Sequence, residues 1–304
     1  MQARESIESA FTSARPKLFA LAYRMTGSAS DAEDIAQESF ARAIASPPDA
    51  HIPIEAWLVR VASNLAKDAL RKRRVRRYFG PWLPEPVDDV HLDACAFVTP
   101  ESRYSLAESA TLAFLCALEA LGPTERSVLV LRDALGLDAR EVAEVLETSE
   151  GNVRVVHHRA RKKLSGYDAQ RCIPSDETRQ RTERALLALL EAMGTGNVDG
   201  VVSLLSDDAT LITDAAGEFT AAVLVLHGSE RIARSEMQIA KQAIVTSATL
   251  TRVNGLPALA ITLSPKRRSD APRSLFTIET NAEGRIVSLR HVLASKKLRW
   301  VAFA

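Results

Sequence analysis

The chain lacks most of the features that mark secreted, metal-bound or membrane proteins. It has three cysteines in 304 residues, Cys95, Cys116 and Cys172, far apart and odd in number. None forms a Cys-x-x-Cys or Cys/His spacing, so neither a disulfide framework nor a zinc site is expected, and no cofactor. No apolar run approaches the roughly 18 residues of a spanning helix. The first 25 residues lack the basic, then apolar, then small-residue order of a signal peptide. These absences predict a cytoplasmic protein with no membrane partner. A surplus of one charge is also missing: 39 basic residues stand against 38 acidic ones, a net charge of +1. What remains, 46% apolar and 25% charged residues, is ordinary for a globular chain. At about 100–200 residues per domain, the length predicts two or three domains.

The neutral balance hides segregation. Residues 51–77 hold eight bases (Arg60, Lys67, Arg71, Lys72, Arg73, Arg74, Arg76, Arg77) against Glu55 and Asp68. Residues 78–104 hold five acids and one base, and 105–150 nine acids and three bases. Residues 151–166 carry Arg154, Arg159, Arg161, Lys162 and Lys163 and no acid. Two basic segments, each ending an apolar-periodic helix, point towards nucleic acid.

Helical spacing predicts helices over 5–26 (Ile7, Ala10, Phe11, Ala14, Leu18, Leu21, Ala22) and 31–45, the second with Ser30 and Glu33 as a capping box. The second helix is expected to bury Ile35, Phe40 and Ile44 and to expose Asp31, Asp34, Gln37, Glu38 and Arg42. Three prolines make 46–53 a loop. A third helix, 54–74, has the stripe Trp57, Leu58, Val61, Leu65 and Ala69, with Arg60, Asn64, Lys67 and Arg71 facing out. Residues 78–104 contain four prolines, so an extended linker is expected. Its Tyr78, Phe79, Trp82 and Leu83 are costly to leave in water, which predicts that the linker docks. Helices resume at 105–121 and 124–135. LDAREVAEVLE, a short break with Gly, and GNVRVVHHRARKKL then have the shape of a helix-turn-helix. Val153, Val156, Ala160 and Leu164 share its inner face, and Asn152, Arg154, Val155, His158, Arg159 and Lys162 the outer one.

After a polar stretch the pattern changes. Helices at 180–195 and 198–205 precede β-rich runs at 209–213, 219–227, 244–253, 257–264, 274–280 and 285–294. Asn254-Gly255 is a hairpin signal. Helices followed by a mostly antiparallel sheet predict an α+β domain.

Taken in order, YRMTGSASDAEDIAQESFARAI (23–44), AWLVRVASNLAKDALRKRRVRR (56–77) and LDAREVAEVLETSEGNVRVVHHRARKKL (137–164) resemble the sigma-70 family of bacterial transcription initiation factors, in its extracytoplasmic-function form. FGPWLPEPV (79–87) and the tail after 175 are similar to the subgroup with a fused SnoaL-like domain. The resemblance implies a multidomain protein: two all-α sigma domains, then an α+β cone. The expected boundaries are 1–77 for the region 2 domain, 78–104 for the Pro-rich acidic linker, 105–166 for region 4, 167–178 for a second linker, and 179–304 for the SnoaL-like domain. Two subgroup signatures are altered. Asp-Gly-Gly-Gly-Lys appears as Asp214-Ala215-Ala216-Gly217-Glu218, and Asn-Pro-x-Lys-Leu as Ala294-Ser295-Lys296-Lys297-Leu298.

What the resemblance implies for sites follows residue by residue. Asp31, Asp34, Gln37 and Glu38 match the surface that clamps the β′ coiled coil of core RNA polymerase, and region 4 would meet the β flap. The loop 46–55 and Asn64 match the part that opens the −10 element, with Lys67, Arg71, Arg73 and Arg74 as phosphate partners. Asn152, Arg154, Val155, His158, Arg159 and Lys162 would face the −35 element in promoter DNA. Tyr78, Phe79, Trp82, Leu83 and Pro84 are the expected linker contacts for the C-terminal domain. That domain is also expected to pack on one or both sigma domains and to regulate through Asp214, Gly217 and Glu218; its small-molecule ligand is left open. No catalysis is expected. The alternatives are a cone-fold isomerase or hydratase, with Asp207, Asp208, Asp214, His227 and His291 as candidates, and a ligand-responsive repressor.

Overall fold

The computed structural model describes residues 2–49, 51–75, 78–93 and 104–303, without the side chains of 2–10, 74, 75, 93 and 106. Arg76, Arg77 and the 94–103 part of the linker with Cys95, all invoked above, therefore lie outside the described residues, as do the side chains of Ile7, Ala10 and Arg74. The chain folds as two compact units. One comprises Met1–Arg77, Val90–Ala110 and Phe114–Arg171; the other Tyr78–Asp89, Thr111–Ala113 and Cys172–Ala304. Regions 2 and 4, expected as separate domains, thus share one unit, and the first half of the expected linker is built into the other.

The helices, in chain order, are α1 (Gln2–Thr26), α2 (Ala29–Ala45), α3 (Ile54–Val75), α4 (Asp89–Asp93), α5 (Leu106–Ser109), α6 (Leu112–Ala117), α7 (Pro123–Leu129), α8 (Ala139–Leu146), α9 (Glu150–Lys163), α10 (Ser165–Ala169), α11 (Asp176–Gly194), α12 (Val198–Leu204) and α13 (Ser229–Gln242). Among the described residues no helix is long and apolar enough to cross a membrane.

In the first unit, α1 ends where Gly27 takes a left-handed φ of 67° and its N–H returns to the Tyr23 carbonyl at 2.7 Å. The N-cap of α2 is Ser28, which accepts from Asp31 N, and not Ser30. Ile44 is 59% exposed rather than buried. On α3 the buried residues are Leu58, Ala62, Ser63, Ala66 and Leu70, most of them one position on from the expected stripe; Val61, Leu65 and Ala69 are only partly covered. The small alanines let neighbouring helices approach closely, a preference that bulk hydrophobicity does not register. The expected 105–121 helix is broken into α5, α6 and a 3₁₀ turn at Leu118–Ala120, and the last turn of the 124–135 helix widens to a π-helical one at Val130–Ala134.

Arginines tie the two helical regions together. Arg73 donates to the Thr26 carbonyl (2.6 Å) and pairs with Glu119 (2.7 Å). Buried Arg126 donates to the carbonyls of Met25 (3.0 Å) and Leu118 (2.6 Å) and also reaches Glu119. The last carbonyls of α1, left open by helix geometry, are satisfied by guanidinium groups from elsewhere in the unit.

In the second unit one six-stranded sheet is ordered β2-β1-β6-β5-β4-β3, with β1 (Leu205–Asp214), β2 (Leu226–His227), β3 (Val245–Val253), β4 (Leu256–Leu263), β5 (Arg273–Thr280) and β6 (Ile286–Val292). It is antiparallel except for the β1–β6 pair, which is parallel. The expected strand over 219–227 shrinks to two residues. The segment 229–242, not anticipated as regular, is helix α13, which buries Ile232, Ala233, Glu236 and Met237. Asn254 and Gly255 both have positive φ, 53° and 83°, so the β3–β4 hairpin turn is of type I′. The core lies between α11–α13 and one face of the sheet: Leu186, Leu189, Leu211, Leu259, Phe276, Ile278 and Leu289.

Candidate functional site

Three exposed faces of the first unit carry the expected sites. On α2, Asp31, Asp34, Gln37 and Glu38 all face solvent. Gln37 donates to Glu33 at 2.9 Å, and Glu38 pairs with Arg42 at 2.7 Å. The exposed Ile44 lies seven residues beyond Gln37 on the same row. A large apolar side chain on an otherwise polar face is a feature that sequence reasoning assigned to the core.

On α3, the basic residues are partly used up internally. Arg60 reaches Glu147 at 3.3 Å, Arg71 pairs with Asp68 at 2.9 Å, and Arg73 is held as described. Asn64 and Lys67 are partly buried. The Lys67 ammonium is held below the ordinary lysine value, first by burial and then by neighbouring Arg71. A cation in that position gains from an anion brought close to it.

The helix-turn-helix is α8 and α9. Asp138 and Glu141 make a reciprocal capping box on α8. The expected glycine turn is absent: Gly151 is already helical, and Glu147 takes the left-handed conformation, φ 52°. Ser149 caps α9 through Asn152 N, and the Asn152 side chain donates to Thr148 Oγ1 at 2.9 Å. Val153, Ala160 and Leu164 are buried, while Asn152, Arg154, Val155, His158, Arg159 and Lys162 are all exposed. Underneath, His157 Nε2 lies 2.8 Å from buried Asp133 Oδ1 and anchors α9 to the π-helical turn.

In the second unit, the segment 78–89 is clamped. Asp214, at the end of β1, is fully buried. Its Oδ1 accepts from the Tyr78 hydroxyl (2.6 Å) and Ala216 N (3.1 Å); its Oδ2 accepts from Leu83 N (2.7 Å) and Lys297 Nζ (2.6 Å). Lys297 also donates to the Leu83 carbonyl and lies 4.8 Å from the Tyr78 ring centre and 4.6 Å from that of Trp82. Burial and the bond to Asp214 push the Tyr78 phenol far above its ordinary pKa. Further along, Val87 exchanges backbone and side-chain bonds with Asn254, and Asp88 N donates to the Trp300 carbonyl at 3.0 Å. Leu83 and Pro84 are buried, whereas Phe79 is 65% exposed even though its ring lies beside Gly217. Ala216 takes the positive φ, 50°, that the altered glycine signature suggested for this loop, and Glu218 accepts from Ser295 N. The lysine of the altered C-terminal signature, Lys297, was the available signal for the clamp's cation.

The enzyme candidates do not converge. Asp207, Asp208 and His227 are exposed, Asp214 belongs to the clamp, and only His291 faces the core side of the sheet.

Known proteins match these parts. The sigma-70 region 2 family matches residues 10–76, and sigma-70, region 4 matches residues 111–164. The ECF RNA polymerase sigma factor SigJ of Mycobacterium tuberculosis is 40% identical over 228 residues, covering 74% of this chain and 70% of that protein. Probable ECF RNA polymerase sigma factor SigI of the same species is 30% identical over 236 residues, 76% of each. The crystal structure of the M. tuberculosis SigJ superposes with a TM-score of 0.73 at 29% identity, covering 95% of this chain and 97% of that one.

Proposed function

The chain belongs to the extracytoplasmic-function RNA polymerase sigma factors, and from that premise we propose how its exposed faces divide the work. As a sigma factor it acts by binding, not by catalysis, and its partners are core RNA polymerase and promoter DNA. The α2 face, Asp31, Asp34, Gln37 and Glu38 with Ile44 at its end, binds the β′ coiled coil, and region 4 meets the β flap. The loop before α3, Asn64 and the cations Lys67 and Arg71 engage the −10 element. The α9 face reads the −35 element, with Arg154 and Arg159 on base edges or phosphates and Val155 against a thymine methyl. The protein works in the cytoplasm.

One observation carries this reading: every outward residue of α9 that could touch DNA is free of the core, while the opposite side is buried. The SnoaL-like second unit regulates in cis by holding the segment 78–89 through Asp214 and Lys297. Co-purification with core polymerase and run-off transcription test the polymerase face. Asp34→Lys with Gln37→Ala is expected to lose core binding and transcript while keeping wild-type circular dichroism. Unchanged co-purification would remove α2 from this role.

A further inference from the structure

The second unit segregates its charge along the strand direction. The register sets Val245 of β3 beside Leu263 of β4, and Thr262 beside Arg273 of β5. Leu275 pairs with Val292 of β6, which lies beside Asp214 of β1. One end of the sheet therefore collects the ends of β1, β4 and β6 and the starts of β3 and β5. The β4–β5 loop projects from this end. Its Ser269 carbonyl accepts from Thr220 N at 2.8 Å, and Lys266 Nζ donates to the Gln242 carbonyl at the end of α13, also at 2.8 Å. Four segments thus bring six exposed cations together: Lys241, Lys266, Arg267, Arg268, Arg273 and Lys296. The loops of this end carry two acids, Glu218 and Asp270, and buried Asp214 is matched by Lys297. At the opposite end Asp207, Asp208 and Glu283 are exposed, and the Arg285 guanidinium is bound to the Leu205 carbonyl at 2.8 Å.

Part of this charge serves the fold. Lys266 satisfies a terminal carbonyl of α13, where a cation also suits the helix dipole. The Arg273 guanidinium lies 5.3 Å from the Phe303 ring centre. The rest is held outward. Asp270 Oδ2 accepts from the backbone of Lys266 (3.1 Å) and Arg267 (2.9 Å), and Asp270 N donates to the Arg267 carbonyl (3.0 Å). This turn, between Pro265 and Pro272, presents Arg267 and Arg268 to solvent. Arg267 Nε is 3.8 Å from Asp270 Oδ1 and its side chain is 77% exposed, a contact of little energy. Like charges gathered on a fixed surface repel one another and gain when an anion approaches.

We propose that this basic end of the second unit binds the phosphate backbone of duplex DNA, apart from the bases that α9 reads. A promoter-binding chain already holds a polyanion, so a fused cationic surface meets it at a raised effective concentration. The guanidinium fork of Arg267 and Arg268 matches phosphate geometry. From the β4–β5 loop to Lys296, past β6, is two to three strand spacings, about 10–15 Å. That is the axial rise of about three to four base pairs, enough for several phosphates. The contact adds affinity and salt dependence and carries no sequence information. It rests on the chain being a promoter-binding sigma factor, and not on which α9 side chains touch bases.

The test uses the full chain assembled with core polymerase, and a labelled promoter duplex titrated by fluorescence anisotropy between about 50 and 200 mM salt. Arg267→Ser/Arg268→Ser should lower the slope of log affinity against log salt by about 2, since each phosphate contact contributes about 0.9. The loss should be the same on duplexes with altered −35 bases, and affinity for core polymerase without DNA should not change. Arg267→Lys/Arg268→Lys, which keeps the charge, should restore most of the slope. Arg231→Ser/Arg234→Ser removes as much exposed charge from the first half of α13 and should change the slope by less than about 0.5. Lys241→Ser/Lys296→Ser leaves the β4–β5 loop intact and should lower the slope by about 1–2, so the reading does not hang on the loop's folding. The proposal is overturned if both patch variants keep the wild-type slope, or if the α13 control loses as much, which would make the effect one of net charge. It is also overturned if the patch variants weaken core binding and leave the DNA slope alone, the result for an acidic protein surface. Arg154 and Arg159 variants report base preference instead, so the two readings fail separately.

Discussion

On α9, Arg154, His158, Arg159 and Lys162 all face solvent; on α3, Arg60 and Arg73 are bound to Glu147 and Glu119 from region 4 of the same unit. Both helices are basic, and both follow from similar apolar spacing, yet they hold their charge differently. Arg154 pairs with Glu150, one helical turn away and 43% exposed, a contact that DNA can exchange at little cost. Arg73 and Arg60 of α3 are held by acids that fold back from 46 and 87 residues away. A charge tied by a distant partner serves the fold first, and its availability to a phosphate depends on releasing that partner. The clamp is the extreme of this series, because Lys297 and Asp214 are buried completely enough that each needs the other.

The largest effect is expected there. Lys297→Met leaves Asp214 as an uncompensated buried charge and should cost the second unit about 3–5 kcal/mol in chemical denaturation. A loss under about 1 kcal/mol would place this pair with ordinary surface bridges. Next, Arg154→Ala and Arg159→Ala should each weaken promoter binding by about 1–3 kcal/mol and relax preference at single base pairs. Lys67→Ala and Arg71→Ala should weaken binding evenly across sequences and flatten its salt dependence. Four variants with one uniform loss, measured by fluorescence anisotropy over a set of altered promoters, would erase the difference between the helices.

A smaller gain should come from freeing α3. Glu119→Gln with Glu147→Gly removes the negative charges that hold Arg73 and Arg60; the amide keeps an acceptor for buried Arg126, and the glycine also relieves the left-handed φ. DNA binding at low salt should tighten by about 0.5–1 kcal/mol, the size of exposed ion pairs. Unchanged affinity would mean that these arginines are not DNA contacts at all. The smallest effect is expected in the clamp loop, where Ala216 sits at φ 50°. Ala216→Gly should raise stability by about 0.5 kcal/mol, since relief of a left-handed penalty of about 1–2 kcal/mol exceeds the entropy that glycine loses, about 0.5–1 kcal/mol. A fall in melting temperature would show that the Ala216 methyl packs usefully.

Much of the molecule was legible before folding. The exposed rows of α2 and α9 follow from helical spacing, and the type I′ turn from Asn254-Gly255. The apolar linker residues signalled docking, and Leu83 is buried on the second unit beside Asp214. The errors share a cause. On α3 bulk hydrophobicity points to Val61 and Leu65 as the core face, but close helix packing selects Ala62, Ala66 and Leu70. Helix α13 went unread amid strand-like neighbours, and with it Glu236, the partner of His291.

The sequence by itself determined the local elements and which of their faces would be apolar, because periodicity, capping and turn chemistry act within a few residues of their source. Only the tertiary structure decided which charges are committed. Arg73 with Glu119, Lys297 with Asp214 and Tyr78 with Asp214 are separated by 46, 83 and 136 residues. No local spacing encodes such pairs. They form because burial removes the competing water, so each buried charge or hydroxyl must find whichever partner the fold brings within hydrogen-bond reach.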